Sequence, residues 1–260
     1  MAARVLARSM LSRLGAFIVF PPAHTGALDG TVPVSTRGHR KSHRSCDSDR
    51  VTDWVAWHRA YDDPGSSLAR RLDVVRRRLD QSLKSLGSRP GRMLSLCAGD
   101  GRDLIPVLAQ QRSGQRPATV LVEQNEALAS MAESRAREEG LETLKVVVGD
   151  AGDPSVFADV LPVDVLMLCG IFGNISPDDI RTTINALPAL VAPGGLVLWT
   201  RGRFDSDDLR PRIRQWFVDA GLQEVSFDGD PEAFGVGVAR RPAAAVPAEP
   251  VPPRLFTFAW

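Results

Sequence analysis

Residues Met93–Asp103 read Met-Leu-Ser-Leu-Cys-Ala-Gly-Asp-Gly-Arg-Asp, an apolar run that breaks on Gly99 and Gly101. A helical pattern follows at once through Leu104, Val107 and Leu108. A buried strand that turns on glycines and feeds a helix is the first strand–helix turn of a nucleotide-binding α/β sheet. Glycine suits such a turn because the backbone must reverse tightly and approach a ligand with no Cβ in the way. Two glycines alone leave open what the turn holds, so the decision falls to the residues downstream.

From Arg92 onward, strand and helix patterns alternate, which predicts a doubly wound, mostly parallel, seven-stranded sheet with helices on both faces. The first five strands are expected at Leu94–Cys97, Thr119–Glu123, Leu144–Val148, Val163–Cys169 and Leu196–Thr200. Asn125 caps the helix after the second strand, and Ser176-Pro177-Asp178-Asp179 opens another with a cap, a first-turn proline and acids placed against the helix dipole. Val225–Phe227 and Phe234–Ala239 complete the sheet as an antiparallel pair, and Leu255–Phe258 reads as a last edge strand beyond an Ala/Pro-rich stretch.

Ahead of this domain, expected over residues 91–260, lie two other segments. Residues 47–90 predict an N-terminal helical lid that caps the substrate. Trp54, Val55, Trp57 and Tyr61 mark one helix face, Asp62-Asp63-Pro64-Gly65 stops it, and Ser66 or Ser67 caps a second helix carrying Leu68, Leu72, Val75, Leu79, Leu83 and Leu86. The opposite face of that second helix is arginine-rich (Arg70, Arg71, Arg76, Arg77, Arg78), which reads first as a solvated face and second as an anion-binding patch. Residues 1–46 lack periodicity and read as a disordered basic extension, with a targeting segment over residues 1–23 as the alternative.

Charge narrows the partners. Residues 1–45 hold seven basic side chains against Asp29 alone, which leaves 25 basic and 30 acidic residues in the rest of the chain. A mildly acidic body argues against a nucleic-acid groove. No apolar run approaches the length of a membrane span. The three cysteines, Cys46, Cys97 and Cys169, have no metal-ligand spacing, so no metal is expected and a reducing, cytoplasmic compartment is.

In an open α/β sheet the ligand lies across the carboxyl ends of the strands. The second strand ends in Glu123, at the separation from the glycine turn expected of an acid that accepts from two vicinal ribose hydroxyls. The third ends in Gly149-Asp150-Ala151, where a carboxylate can accept from an adenine amino group; the fourth ends in the small-residue loop Cys169–Asn174. Over Arg92–Arg241 the chain resembles the class I S-adenosylmethionine-dependent methyltransferases. The resemblance rests on Leu94–Gly101, Glu123, Gly149-Asp150-Ala151 and Pro193-Gly194-Gly195, in order and at the family's separations. Upstream, Trp57-His58-x-x-Tyr61-Asp62-Asp63-Pro64 is similar to actinobacterial members.

The resemblance implies a Rossmann-like methyltransferase fold with S-adenosylmethionine as cofactor. It sets Cys97, Ala98, Gly99, Asp100 and Gly101 beside the methionine part, Glu123 and Gln124 at the ribose, Asp150 and Ala151 at the adenine, and Cys169 and Gly170 flanking the sulfonium. Two positions depart from the pattern: Ser95 stands where the family usually has an acid, and Cys97 where it often has glycine. Asp100 or Asp103 could supply the carboxylate that Ser95 does not. A dinucleotide oxidoreductase is the rival, but its third glycine would fall near Leu104.

The implied reaction moves a methyl group to a small-molecule acceptor by in-line displacement. The protein's part is to align the acceptor and exclude water. His58, Tyr61 and Asn174 are the candidate catalytic residues: His58 is the one histidine outside the basic extension, Tyr61 is the one tyrosine, three residues on, and Asn174 follows the fourth strand. Arg201 and Arg203 after the fifth strand could hold an acidic acceptor, and Trp54, Trp57 and Phe172 could line an apolar one. Two other readings stay open: a non-catalytic S-adenosylmethionine-binding or interaction protein, and an RNA or protein methyltransferase recruited by the basic arm.

Overall fold

A computed structural model of the chain describes residues 59–87, 91–203, 208–244 and 248–259. Among the described residues there are seven strands: β1 (Arg92–Leu96), β2 (Ala118–Glu123), β3 (Leu144–Val148), β4 (Val163–Leu168), β5 (Val191–Gly202), β6 (Gln223–Asp230) and β7 (Phe234–Arg240). They form one sheet in the order β3-β2-β1-β4-β5-β7-β6. The pairings among β1–β5 are parallel, and β7 runs antiparallel between β5 and β6, so the sheet is mixed. Strand order reverses direction between β1 and β4, which opens a crevice at their carboxyl ends.

Five helices cover the sheet: α1 (Ser67–Ser85), α2 (Ile105–Gln110), α3 (Glu126–Glu138), α4 (Pro177–Leu190) and α5 (Arg210–Asp219). Successive strand residues point to opposite faces, and the two cores follow from that alternation. Leu94, Leu96, Leu166, Leu168, Val197 and Trp199 pack on one side against Ile180, Ile184 and Leu187 of α4 and Ile213 and Phe217 of α5. Met93, Val165, Met167, Leu196 and Leu198 pack on the other side against Leu108 of α2, Ala132 and Ala136 of α3, and Val75, Leu79 and Leu83 of α1.

α1 begins as expected, with the Ser66 hydroxyl accepting from the Ala69 N–H at 3.0 Å. Its apolar stripe is buried in the second core, so α1 is a layer of the domain, and its first turns alone reach the sheet's carboxyl end. The arginine face is solvated in part, with Arg70 and Arg77 exposed, but four of its five arginines also have partners within the protein. Arg78 donates twice to Asp228 of β6, with the Nη2–Oδ1 bond at 2.6 Å, and Arg70 pairs with Asp230 at 3.1 Å. Arg76 donates to the Arg102 carbonyl at 2.6 Å. These bonds pin the helix across β6 and the glycine turn. Arg78→Met should lower folding stability by no more than about 1 kcal/mol, as for exposed ion pairs generally. Urea denaturation measures it, and a loss several times larger would make this bond the helix's main anchor.

The C-terminal stretch corrects the expected edge strand. Leu255–Phe258 joins no strand of the sheet and makes a single antiparallel bridge, Ile175 with Phe258. It runs as a strap over the ends of β3 and β4: the Leu255 N–H donates to the Gly152 carbonyl at 2.8 Å and the Ala259 N–H to the Asn174 carbonyl at 3.0 Å. Leu255 and Phe256 are fully buried beneath it.

Candidate functional site

A cavity of ≈ 350 Å³ opens at the carboxyl ends of β1, β2, β4 and β5, within the usual size range of small-molecule sites. Its floor is the turn after β1. Cys97 sits there at φ 53°, a left-handed conformation that costs a residue with a Cβ about 1–2 kcal/mol. That cost explains why glycine is usual at this position. Gly99 follows at φ 57°, and its N–H donates to Glu123 Oε2 at 2.8 Å. Glu123 Oε1 accepts from the Asn125 N–H, also at 2.8 Å, so one carboxylate at the tip of β2 ties the glycine turn to the start of α3. Each oxygen keeps a lone pair for a ligand hydroxyl.

Gly101 does not line the cavity. At φ 68°, a Cβ there would stand 2.5 Å from Ile105 Cδ1, so this glycine lets α2 pack against the turn. Three further N–H groups near the turn are also taken: Gly101 donates to the Ala98 carbonyl, and Leu104 and Ile105 to that of Gly101.

Asp100 and Asp103 separate cleanly. Asp100 is buried between two guanidiniums, with Arg102 Nη2 at 2.7 Å and Arg135 Nη1 at 2.9 Å, which neutralises its charge in place. Asp103 faces the cavity with Oδ1 shut off from solvent and without a hydrogen-bond partner. Burial pushes its carboxyl up from 3.8 to about 6, opposed by the backbone N–H groups of Asp103 and Leu104 and by the charge of Arg76, with the charge of Asp100 adding to the rise. A buried carboxylate oxygen with no donor is suited to a cationic or N–H group.

The far walls come from β4, β5 and the two ends of the domain. Cys169 and Gly170 line the cavity beside Thr200, whose hydroxyl accepts from the Gly170 N–H at 2.9 Å. Burial drives both thiols well above their usual range, with Glu123 adding for Cys97 and Asp103 for Cys169, so both stay protonated. Tyr61 reaches the cavity from a short 3-10 turn, Arg59–Asp62. Its ring lies under Arg102 (4.9 Å from the guanidinium carbon to the centroid) and its hydroxyl accepts from Arg71 Nη2 at 2.8 Å. Asn174 also lines the cavity, its side-chain amide donating to the Gly170 carbonyl at 2.7 Å. His58, Trp54 and Trp57 lie outside the described residues.

Several expected residues are placed elsewhere. Asp150 is not part of the cavity wall: Oδ1 accepts from the Gly152 N–H at 2.8 Å and Oδ2 pairs with Arg254 at 2.8 Å. Its neighbour Ala151 is in the wall. Arg201 is buried and donates to the Phe172 carbonyl, and Arg203 pairs with Glu232, so neither faces the cavity. Phe172 is a core residue, its ring centroid 6.1 Å from that of Trp199. Conversely, Leu72, Val75, Leu128, Thr200 and Phe258 line the cavity although the sequence did not mark them as site residues, and so does Arg71, read there only as part of an arginine-rich face. The apolar periodicity of α1 marked Leu72 and Val75 as buried but could not say against what. Phe258 gave no signal beyond its apolar character.

Among the described residues, no group of His, Cys, Asp and Glu side chains is placed to hold a metal ion, and no helix is long and apolar enough to cross a membrane.

Neither a protein-family model nor a curated protein sequence matches the chain. Solved structures do. Magnesium protoporphyrin IX methyltransferase from Synechocystis PCC 6803, solved with bound S-adenosylmethionine, is 14% identical with a TM-score of 0.55, covering 74% of this chain and 92% of that one. An O-methyltransferase family protein from Burkholderia thailandensis is 16% identical with a TM-score of 0.52, covering 74% and 70%. A protein from Bordetella parapertussis described as a possible exported protein is 18% identical with a TM-score of 0.53, covering 73% and 79%. At these identities the similarity is one of fold. The fold is the seven-stranded mixed α/β sheet on which class I methyltransferases are built.

Proposed function

We propose that this protein is an S-adenosylmethionine-dependent methyltransferase acting on a small-molecule acceptor. One observation carries the reading: the cavity presents carboxylates, Glu123 and Asp103, where a dinucleotide site would present free N–H groups. The N–H of Gly99 is spent on Glu123, and those of Gly101, Leu104 and Ile105 on the backbone. A pyrophosphate would meet the Glu123 and Asp103 carboxylates and none of those four N–H groups; a ligand that is cationic at one end and carries vicinal hydroxyls meets its complements. The residues present therefore fit S-adenosylmethionine. Asp103 would take its ammonium group, Glu123 its ribose hydroxyls, and the small residues Ala98, Ala151 and Gly170 leave room for its length.

When bound, that cofactor supplies a methyl group on a positively charged sulfur. The chain's own work is alignment and exclusion of water. Tyr61, held from above by Arg102 and at its hydroxyl by Arg71, and Asn174, held through Gly170, are fixed polar groups at the rim against which an acceptor can be oriented. The protonated thiols of Cys97 and Cys169 act as small wall residues. The acidic body of the domain suits a small acceptor rather than a nucleic acid.

Calorimetric titration of the full chain with S-adenosylmethionine, S-adenosylhomocysteine and NAD tests the reading. Micromolar binding of the two adenosyl ligands, about −8 kcal/mol, with none of NAD, is expected. NAD binding, or no binding by folded protein, would overturn it.

A further inference from the structure

The base end of the cavity is not built as the resemblance implies. There, Asp150 would accept from the adenine amino group, yet Asp150 lies outside the cavity wall, its Oδ1 turned to the Gly152 N–H at 2.8 Å and its Oδ2 to Arg254 at 2.8 Å. Arg254 belongs to the C-terminal strap, and its other terminal nitrogen donates to the Phe256 carbonyl at 3.0 Å, which holds the strap's curve. The strap is fixed along its length. Leu255 bonds Gly152, the Thr183 hydroxyl donates to the Leu255 carbonyl at 3.1 Å, the Thr257 N–H donates to Asp179 at 3.2 Å, and Ala259 bonds Asn174.

This course carries Phe258 into the cavity wall, between the loops after β3 and β4, on the side where Ala151 and Asn174 also stand. Phe256, fully buried, meets the Phe258 ring edge-on at a centroid distance of 5.5 Å and sets its plane. The approach is so close that a Cβ on Gly152 would lie 2.3 Å from the Phe256 carbonyl oxygen. A flat apolar ring in a cavity wall, met edge-on by a buried second ring, is a surface on which a purine can stack.

We infer that the strap is part of the nucleoside subsite: Phe258 stacks on the adenine, and the Asp150–Arg254 pair is the latch that holds the strap in place rather than a direct reader of the base. The inference rests on the S-adenosylmethionine reading above. It assigns base recognition to the C-terminal strap, across the cavity lining from α1.

The test is titration of full-length wild type and variants with S-adenosylhomocysteine, and separately with adenosine, with thermal unfolding of each variant alongside. Phe258→Ala should weaken both ligands by about tenfold or more, and Phe258→Tyr should restore binding. Phe258→Leu keeps apolar bulk without a flat ring and should lose affinity at an unchanged unfolding temperature, which separates stacking from folding. Asp150→Ala and Arg254→Ala should weaken binding equally, and the double variant no further, because either change opens the same latch. Equal affinity of wild type, Phe258→Ala and Phe258→Leu would overturn the stacking. A loss in Asp150→Ala well beyond that in Arg254→Ala would overturn the latch and return Asp150 to the base. Failure of the wild type to bind S-adenosylhomocysteine would be failure of the methyltransferase reading itself, a different result from either.

Discussion

Asp103→Asn should make the protein more stable at pH 7 and a weaker binder of S-adenosylmethionine. Burial raises the Asp103 carboxyl from 3.8 to about 6 in the folded protein. Between those two values the folded chain therefore binds more protons than the unfolded one, so stability falls as pH rises through the window. A shift of that size corresponds to at most about 3 kcal/mol lost by pH 7. Asparagine removes the charge and with it the loss; its amide still needs partners, so the net gain should be on the order of 1–2 kcal/mol. At pH 4, where Asp103 is protonated, the two proteins should unfold at similar denaturant concentrations. Binding runs the other way. A ligand ammonium needs the carboxylate, so wild-type affinity should drop as pH falls through 6, while the variant should be weaker by roughly 10- to 100-fold at pH 7, the range for a hydrogen bond between charged groups, with no step near 6. Denaturant titrations and calorimetry at pH 4, 6 and 7.5 give both curves. A variant that is destabilised at pH 7, or a wild-type affinity flat across pH 6, would remove Asp103 from the ligand's cationic end.

That residue also shows where sequence reasoning stops. The alternation that sends Leu94 and Leu96 to one core and Met93 to the other is a period of two residues, so the strands were legible. So were Glu123 and the glycine turn, because their separation reflects one strand–helix–strand unit. Asp100 and Asp103 could not be told apart, because the difference lies with which of them Arg102 turns to and with Arg135, a residue of α3. The arginine face of α1 looked solvated because its partners, Asp228 and Asp230, are some 150 residues downstream. The strap was least legible. Residues 242–253 have no periodicity, and the spacing of Phe256 and Phe258 reads as a strand, whereas what holds them is side-chain and backbone bonding to Gly152, Asp179 and Asn174. Local pattern records which face is apolar. It does not record which distant carboxylate is already occupied, and at this site that decides which acids remain for a ligand.

Glu123→Ala should lose S-adenosylhomocysteine by at least about 100-fold, and Glu123→Gln by about tenfold. The carboxylate does two jobs at once: it holds the N–H groups of Gly99 and Asn125, and its remaining lone pairs face the cavity. Alanine abandons both, leaving two backbone donors to whatever water enters and the ribose without an acceptor. With hydrogen bonds to a charged group worth about 1.5–3 kcal/mol each, loss of the two hydroxyl contacts accounts for the 100-fold figure, and slackening of the turn adds to it. Glutamine keeps the shape but turns one acceptor into an NH₂, which then points a donor at a backbone donor. It should therefore cost on the order of 2 kcal/mol in folding stability while retaining part of the ligand contact. The two roles separate with a ligand lacking the vicinal hydroxyls. 2′,3′-Dideoxyadenosine should bind wild type and Glu123→Gln with nearly equal affinity, whereas adenosine should prefer the wild type. If both nucleosides lose equally, Glu123 acts only as the clamp of the turn. If Glu123→Ala folds and binds S-adenosylhomocysteine as the wild type does, the ribose assignment fails and the methyltransferase reading loses its strongest contact.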